Sequence, residues 1–293
     1  MKALQLIFII FFFSSLNLTS QEKEVKITVE KLTDRVYVLK GQGGNIGLFI
    51  GDDCVFMIDD QFAPLSKKIQ AAIKTITDKP VTYLINTHWH GDHTGGNANF
   101  QKEGAIIVSH ENVRKRMSVD QIVRGEKRLA SPEEALPVIT FSEDMQFYMN
   151  KEPILITHVH NAHTDGDVLV YFVNSNVLHV GDAYFQGKFP YIDIDSGGSI
   201  DGYIKGIKTI MRITDTTTKI IPGHGKVTTK EELKEYLEML EDLKTQIFKE
   251  IEKGASLKDV KNNAKITEKY KGYNGWITED KIKEAIYKSL KIK

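Results

Sequence analysis

Cysteine is nearly absent: the chain holds one, Cys54, among 293 residues. A single thiol closes no intramolecular disulfide and builds neither a CxxC zinc ribbon nor a cysteine-held iron–sulfur cluster. Any metal must therefore be held by His, Asp and Glu. Net charge is missing too, because 39 Lys and Arg offset 39 Asp and Glu. That balance argues against the extended basic footprint of a nucleic-acid-binding protein, so no nucleic-acid partner is expected. With 41% hydrophobic and 27% charged residues, disorder and collagen-like fibres are excluded. Beyond Ser20 there is also no run long and apolar enough for a membrane helix.

The one apolar run lies at the start. Lys2 precedes Leu4-Gln5-Leu6-Ile7-Phe8-Ile9-Ile10-Phe11-Phe12-Phe13, and a small, polar run follows to Ser20. A block this short falls well below the roughly 20 residues that span a bilayer. Residues 1–20 read as an export signal cut near Ser20-Gln21, with an uncleaved anchor as the alternative. The expected location is periplasmic or secreted, with no stable membrane anchor after signal removal. Roughly 270 residues remain, enough for one large domain or two small ones.

From Val25 to Asp59 the pattern is strand-like: Val25 to Val29, Val36 to Leu39, Ile46 to Ile50 and Val55 to Ile58, punctuated by glycines. Pro64 and Ser66 open a helix whose face carries Leu65, Ile69, Ala72, Ile73 and Ile76. Strand Val81 to Ile85 follows, then Ala105 to Val108 and a polar helix from about Glu111. Residues 131–137 read as a linker. Further strands are expected around 138–141, 145–149, 154–159, 168–173, 177–180 and 219–221, with a helix over 200–213. This grammar points to an α/β (α+β) chain with two sheets packed together and helices outside.

The tail differs. Thr228 and Thr229 precede Glu231 and Glu232 at capping-box spacing, and Leu233, Leu237, Leu240, Leu243, Ile247 and Ile251 recur at helical intervals up to Gly254. A last helix opens after Thr278, with Ile282, Ile286 and Leu290 in register. The expected organisation is thus residues 1–20 signal, 21–228 catalytic domain and 229–293 helical extension packed on it, or else a separate partner-binding tail.

The decisive segment is Thr87-His88-Trp89-His90-Gly91-Asp92-His93-Thr94-Gly95-Gly96-Asn97. Residues two apart in extended backbone project to the same side, so His88 and His90 can grip one cation. Asp92 and His93, beyond Gly91, can turn toward a second. Imidazole and carboxylate are ligand types expected of zinc. Three later positions, His163, Asp182 and His224, each follow a strand-like run beside glycine or small residues, as a backbone bending around a site requires.

Over about residues 25–227 the chain resembles the metallo-β-lactamase superfamily, whose signature is HxHxDH followed by single His, Asp and His motifs. The resemblance implies a four-layer αββα sandwich with metals at the edge where the sheets meet. It implies two Zn²⁺ per chain: His88, His90 and His163 on the first, Asp92, His93 and His224 on the second, and Asp182 bridging. Asp59, closing a strand, would orient the metal loop without touching metal. Two Zn²⁺ less two carboxylates and a bridging hydroxide leave about +1 in the site, so the bridging water should ionise near neutral pH and attack a carbonyl. Asp92, besides binding the second ion, would orient that water or handle its proton and is the one ligand with a catalytic role of its own.

The fold does not fix the substrate. Aspartate at 182, where cysteine-containing β-lactamases carry Cys, resembles glyoxalase II, lactonases and general hydrolases, whereas export favours a β-lactam. The expectation is a small-molecule, possibly anionic, β-lactam or lactone. A thioester hydrolase, a phosphodiesterase or an iron-dependent sulfur dioxygenase of the same fold are the alternatives. Lys188 either pairs with a substrate carboxylate or is a solvated lysine, and Gly41 to Gly47 is either a flap or an ordinary turn. Trp89 lines the site or packs beneath it, and Phe49 and Phe62 read as core. His158 and His160 lie close enough before His163 to approach the site, whereas His110, His179 and Cys54 read as structural.

Overall fold

A computed structural model of the protein describes residues 24–123 and 125–291. The expected signal therefore lies outside the described residues. Among them, no helix is long and apolar enough to cross a membrane.

Seven strands form the first sheet, in the order Thr28–Lys31, Val36–Lys40, Ile46–Ile50, Val55–Ile58, Tyr83–Asn86, Ile106–His110 and Ile139–Phe141. The early hairpins pair antiparallel; from Val55–Ile58 onward the neighbours are parallel. Five strands form the second, ordered Asp144–Met149, Glu152–Val159, Asp167–Phe172, Val177–His179 and Lys219–Ile221. Only its last pair is parallel.

Side-chain alternation builds the layers. In Val55–Ile58 all four residues are buried, yet on different faces. Phe56 and Ile58 join Phe49, Val170 and Phe172 between the sheets, while Val55 and Met57 meet Ile69 and Ile73 of the Ser66–Lys74 helix. Rings of Phe49 and Phe172 stack across the interface at 4.9 Å. On the far side of the second sheet, helices Ile200–Ile213, Lys230–Glu252 and Glu279–Lys291 share one core through Ile207, Leu240, Leu243 and Ile286. The result is a four-layer αββα sandwich, as the resemblance implied.

Several local expectations are corrected. Thr229 precedes the Lys230–Glu252 helix but makes no capping bond to its backbone; its hydroxyl donates to Glu231 instead. The capping box stands at Ser256 and Asp259, opening a further helix, Leu257–Asn262. After the Glu111–Met117 helix the chain forms a hairpin, Gln121–Val123 against Glu126–Arg128, that is not among the expected strands; Gly125, at φ 82°, lies in its turn. Residues 131–137 hold a 3₁₀ turn, Glu133–Ala135, and bury Ala135 and Leu136 against Trp89. Phe62 is not core: it is 37% exposed and borders a cleft.

Candidate metal centre

The strand Tyr83–Asn86 ends with its backbone still extended at His90, and the short helix Gly91–Thr94 then turns Asp92 and His93 inward. His163 comes from the loop after Glu152–Val159, Asp182 from the 3₁₀ turn Gly181–Ala183, and His224 from the loop after Lys219–Ile221. The sheet ends thus bring all seven expected residues to one place. Ligand atoms of His88, His90, His163 and Asp182 lie within 4.8 Å of one another, as do those of Asp92, His93 and His224. Asp182 stands between the groups. Its Oδ2 is 3.7 Å from His88 Nε2 and 3.5 Å from His163 Nε2, while its Oδ1 is 3.2 Å from His93 Nε2 and 3.4 Å from His224 Nε2.

Hydrogen bonds at the rear of each ring fix which nitrogen faces inward. His93 Nδ1 donates to Asp59 Oδ2 at 2.7 Å, and His90 Nε2 to Asp193 Oδ2 at 2.8 Å. His163 Nδ1 donates to the Tyr191 carbonyl at 2.7 Å. Thr87 gives its hydroxyl proton to Asp59, so it accepts from His88 Nδ1 at 3.1 Å. Lone pairs are left at His88 Nε2, His90 Nδ1 and His163 Nε2, while His93 Nε2 faces Asp182 Oδ1. His90 Nδ1 and His163 Nε2 then face each other at 2.8 Å, and His88 Nε2 is buried with no hydrogen-bond partner. Converging lone pairs are repulsive on their own and are resolved by a cation, so the residues fit a metal.

Charge in the site follows the same logic. Burial would raise Asp182, but His224, His93 and His88 outweigh it and hold the carboxylate well below its usual range. Asp92, also pushed up by burial, is lowered by His93 and His224. Burial disfavours charge on the histidines too; it holds His88 well below the imidazole range and takes His163 down to about 4. The aspartates reverse that effect at His93, which is raised, and at His224, which rises to about 9. Two ionised carboxylates thus attract positive charge to the Asp92–His93–His224 side.

Support comes from residues of two kinds. Asp59, expected to orient the loop, accepts from the Thr87 N–H and hydroxyl and from His93, with its own backbone at φ 60°. Asp193 and the Tyr191 carbonyl have no counterpart in the sequence reading: one lies far from its histidine along the chain and the other is backbone. Asp167, four residues after His163, bends the His163 loop by accepting from the His163 and Thr164 N–H groups at 2.6 and 2.8 Å. Burial raises its carboxyl to about 8.

The remaining candidate residues lie outside the two ligand groups. His158 stacks on His110 at 3.9 Å and His160 faces Glu143 at 3.2 Å. His110 accepts from the Asn112 N–H at a helix start, and His179 donates to the Asn45 carbonyl. Cys54 is buried, which pushes its thiol up. Trp89 packs beneath the site among Val113, Met117 and Leu136. Residues 41–47 are fastened as a turn: Gly44 N–H donates to Asp92 O, Gln61 Nε2 to Gly44 O and Asn45 N–H to Gly223 O. Above the centre opens a cleft of about 560 Å³, bordered by Phe62, Asp92, Arg128, Lys188, His224 and Trp276.

A family profile described as the metallo-beta-lactamase superfamily matches residues 39–244. The chain belongs to the metallo-β-lactamase superfamily. This superfamily member is 24% identical over 218 residues to a metallo-beta-lactamase type 2 of Bacteroides fragilis, covering 70% of this chain and 83% of that one. It is 27% identical over 170 residues to the 2,4-dinitroanisole O-demethylase subunit alpha of a Nocardioides species, covering 57% of this chain. It is also 28% identical over 158 residues to a hydroxyacylglutathione hydrolase of Pelagibacter ubique, covering 52% of this chain. Those two are spanned over only 49% and 56% of their own lengths. A solved metallo-beta-lactamase from Pontibacter korlensis shares the fold, with a TM-score of 0.63 at 19% identity over 74% of this chain and 100% of that one. The superfamily hydrolase therefore carries a His/Asp metal site in a metallo-β-lactamase fold.

Proposed function

We propose that this superfamily member is an exported hydrolase that holds two zinc ions and opens a β-lactam, a lactone or a related amide or ester carbonyl. The observation that carries the reading is Asp182, whose two oxygens face two separate sets of imidazoles. His88, His90 and His163 would hold one ion, Asp92, His93 and His224 the other, and Asp182 both. When bound, such ions supply the positive charge that polarises a carbonyl and acidifies water. The chain's own residues do the rest. Asp92, with 28% of its side chain exposed, borders the cleft, where it orients water and takes up a proton. Phe62 and Phe185 give the cleft an apolar wall. Arg128 and Lys188 on the rim favour an anionic small molecule over a neutral one.

The test is a panel offered to the zinc-loaded chain: a chromogenic cephalosporin, an acyl-homoserine lactone, a thioester and a phosphodiester. Turnover of the lactam or lactone is expected, with two zinc ions per chain by elemental analysis. Turnover of the thioester alone favours the glyoxalase II-like alternative, which Asp182 and the similarity to a hydroxyacylglutathione hydrolase support. The phosphodiester alone, or oxygen uptake by an iron-loaded chain, overturns the reading. Export is tested separately. N-terminal sequencing of the protein from the extracytoplasmic fraction is expected to start near Gln21, and retention of Met1 in the cytoplasm would refute it.

A further inference from the structure

The cleft has a wall that lies outside the family-matched residues 39–244. Trp276 and Ile277, in the turn between a 3₁₀ segment, Glu268–Tyr273, and the Glu279–Lys291 helix, border it together with the hairpin residues Val123 and Arg128. The Trp276 ring sits edge-on to Tyr191 at 5.3 Å, with 73° between the planes. Tyr191 in turn stacks on the ring of His90 at 5.7 Å and gives its carbonyl to His163. A line of rings therefore runs from the C-terminal turn to two of the inward-facing histidines.

The turn is held in place. Phe189 N–H donates to the Tyr273 carbonyl at 2.9 Å, and Gly275 N–H to that of Ile277 at 3.3 Å. Ile277 is buried in the core of the helical layer. Yet Trp276 on this fastened turn leaves 53% of its surface exposed. Lys281 lies 6.0 Å from the ring centroid. A large aromatic plate held at the rim of a cleft loses little entropy when a ligand covers it, and the newly buried area counts toward binding.

We propose that Trp276 determines specificity by receiving an aromatic or similarly broad apolar group next to the reacting carbonyl, so that substrates with aryl-bearing acyl groups are preferred over short acyl ones. The proposal rests on the hydrolase reading and adds the class of side group to it. Trp276 is a binding residue and touches no reacting atom.

The full chain, zinc-loaded, is compared with W276A and W276F on matched lactones and cephems that carry phenylacetyl or acetyl on the same amine. The wild type is expected to favour phenylacetyl in kcat/KM. W276A should lower that preference by roughly 3- to 10-fold, the worth of one aromatic contact, chiefly through KM, and W276F should keep most of it. An unchanged preference in W276A overturns the proposal. If neither substrate is turned over, the hydrolase reading fails instead, and calorimetric binding of phenylacetate against acetate decides. Tighter phenylacetate binding that W276A abolishes upholds the aromatic wall; equal binding of phenylacetate by wild type and W276A overturns it.

Discussion

Asp182→Asn is expected to lower zinc from two ions per chain toward one and to reduce turnover by more than the roughly 10- to 100-fold that loss of an outer partner brings. Oδ2 of Asp182 faces His88 and His163, and Oδ1 faces His93 and His224. An amide of the same shape offers one neutral oxygen, and its NH₂ is a donor that cannot ligate a cation. Whichever way it turns, one group of imidazoles loses its oxygen and neither keeps an anion. Asp193→Asn supplies the comparison. It leaves every inward-facing atom in place and alters the acceptor behind His90 Nε2, which also caps the Ser196 N–H, so a loss within that band of roughly 10- to 100-fold is expected. Elemental analysis of both variants, alongside turnover on whichever panel substrate the wild type accepts, separates the two. Asp182→Asn with two zinc ions and wild-type rate would show that the carboxylate does not serve both groups.

What can be read from residues alone, and what cannot, divides along physical lines. His88, His90, Asp92 and His93 stand out because metal ligands on one loop must be closely spaced. Asp59 is recognisable because it ends an apolar strand, Val55–Ile58. Asp193 carries no such mark. It reaches His90 across 103 positions, and no spacing rule links them. The Tyr191 carbonyl is invisible in principle, since every residue has one. The long helix is legible from Leu233, Leu240 and Leu243, which do bury one face. Its cap is not, because Thr229 spends its hydroxyl on Glu231. The hairpin at 121–128 escapes because its strands are three residues long and largely exposed: Ile122 is 62% exposed and the adjoining Leu129 76%, and Val123 is its one buried apolar residue. Phe62 misleads for the opposite reason, an aromatic ring that faces a cleft rather than a core. Trp276 has no periodic neighbours to announce it.

Gly44→Ala is the second large expected effect, and it arises from a residue with no side chain. A Cβ at position 44 would lie 2.2 Å from His93 Cε1, 2.6 Å from Nδ1 and 2.7 Å from Nε2. His93 has no room to yield: it is fully buried, bonded through Nδ1 to Asp59, and 4.1 Å ring to ring from His88. The backbone of Gly44 is pinned as well, with its N–H on Asp92 O and its carbonyl on Gln61 Nε2. One of these must break. Overpacking of this kind costs about 1–3 kcal/mol, and here the displacement falls on a ring whose Nε2 faces Asp182. The variant is expected to melt lower than wild type and to lose zinc from the Asp92–His93–His224 group. Gly254→Ala isolates the metal effect. Gly254 has φ 84°, and a Cβ added there would meet nothing within 4 Å, so that change strains only the backbone. It should lower the melting temperature while keeping full zinc content. Equal zinc in the two variants would mean that His93 can shift without releasing a metal, and that the contact with Gly44 shapes the fold but not the site.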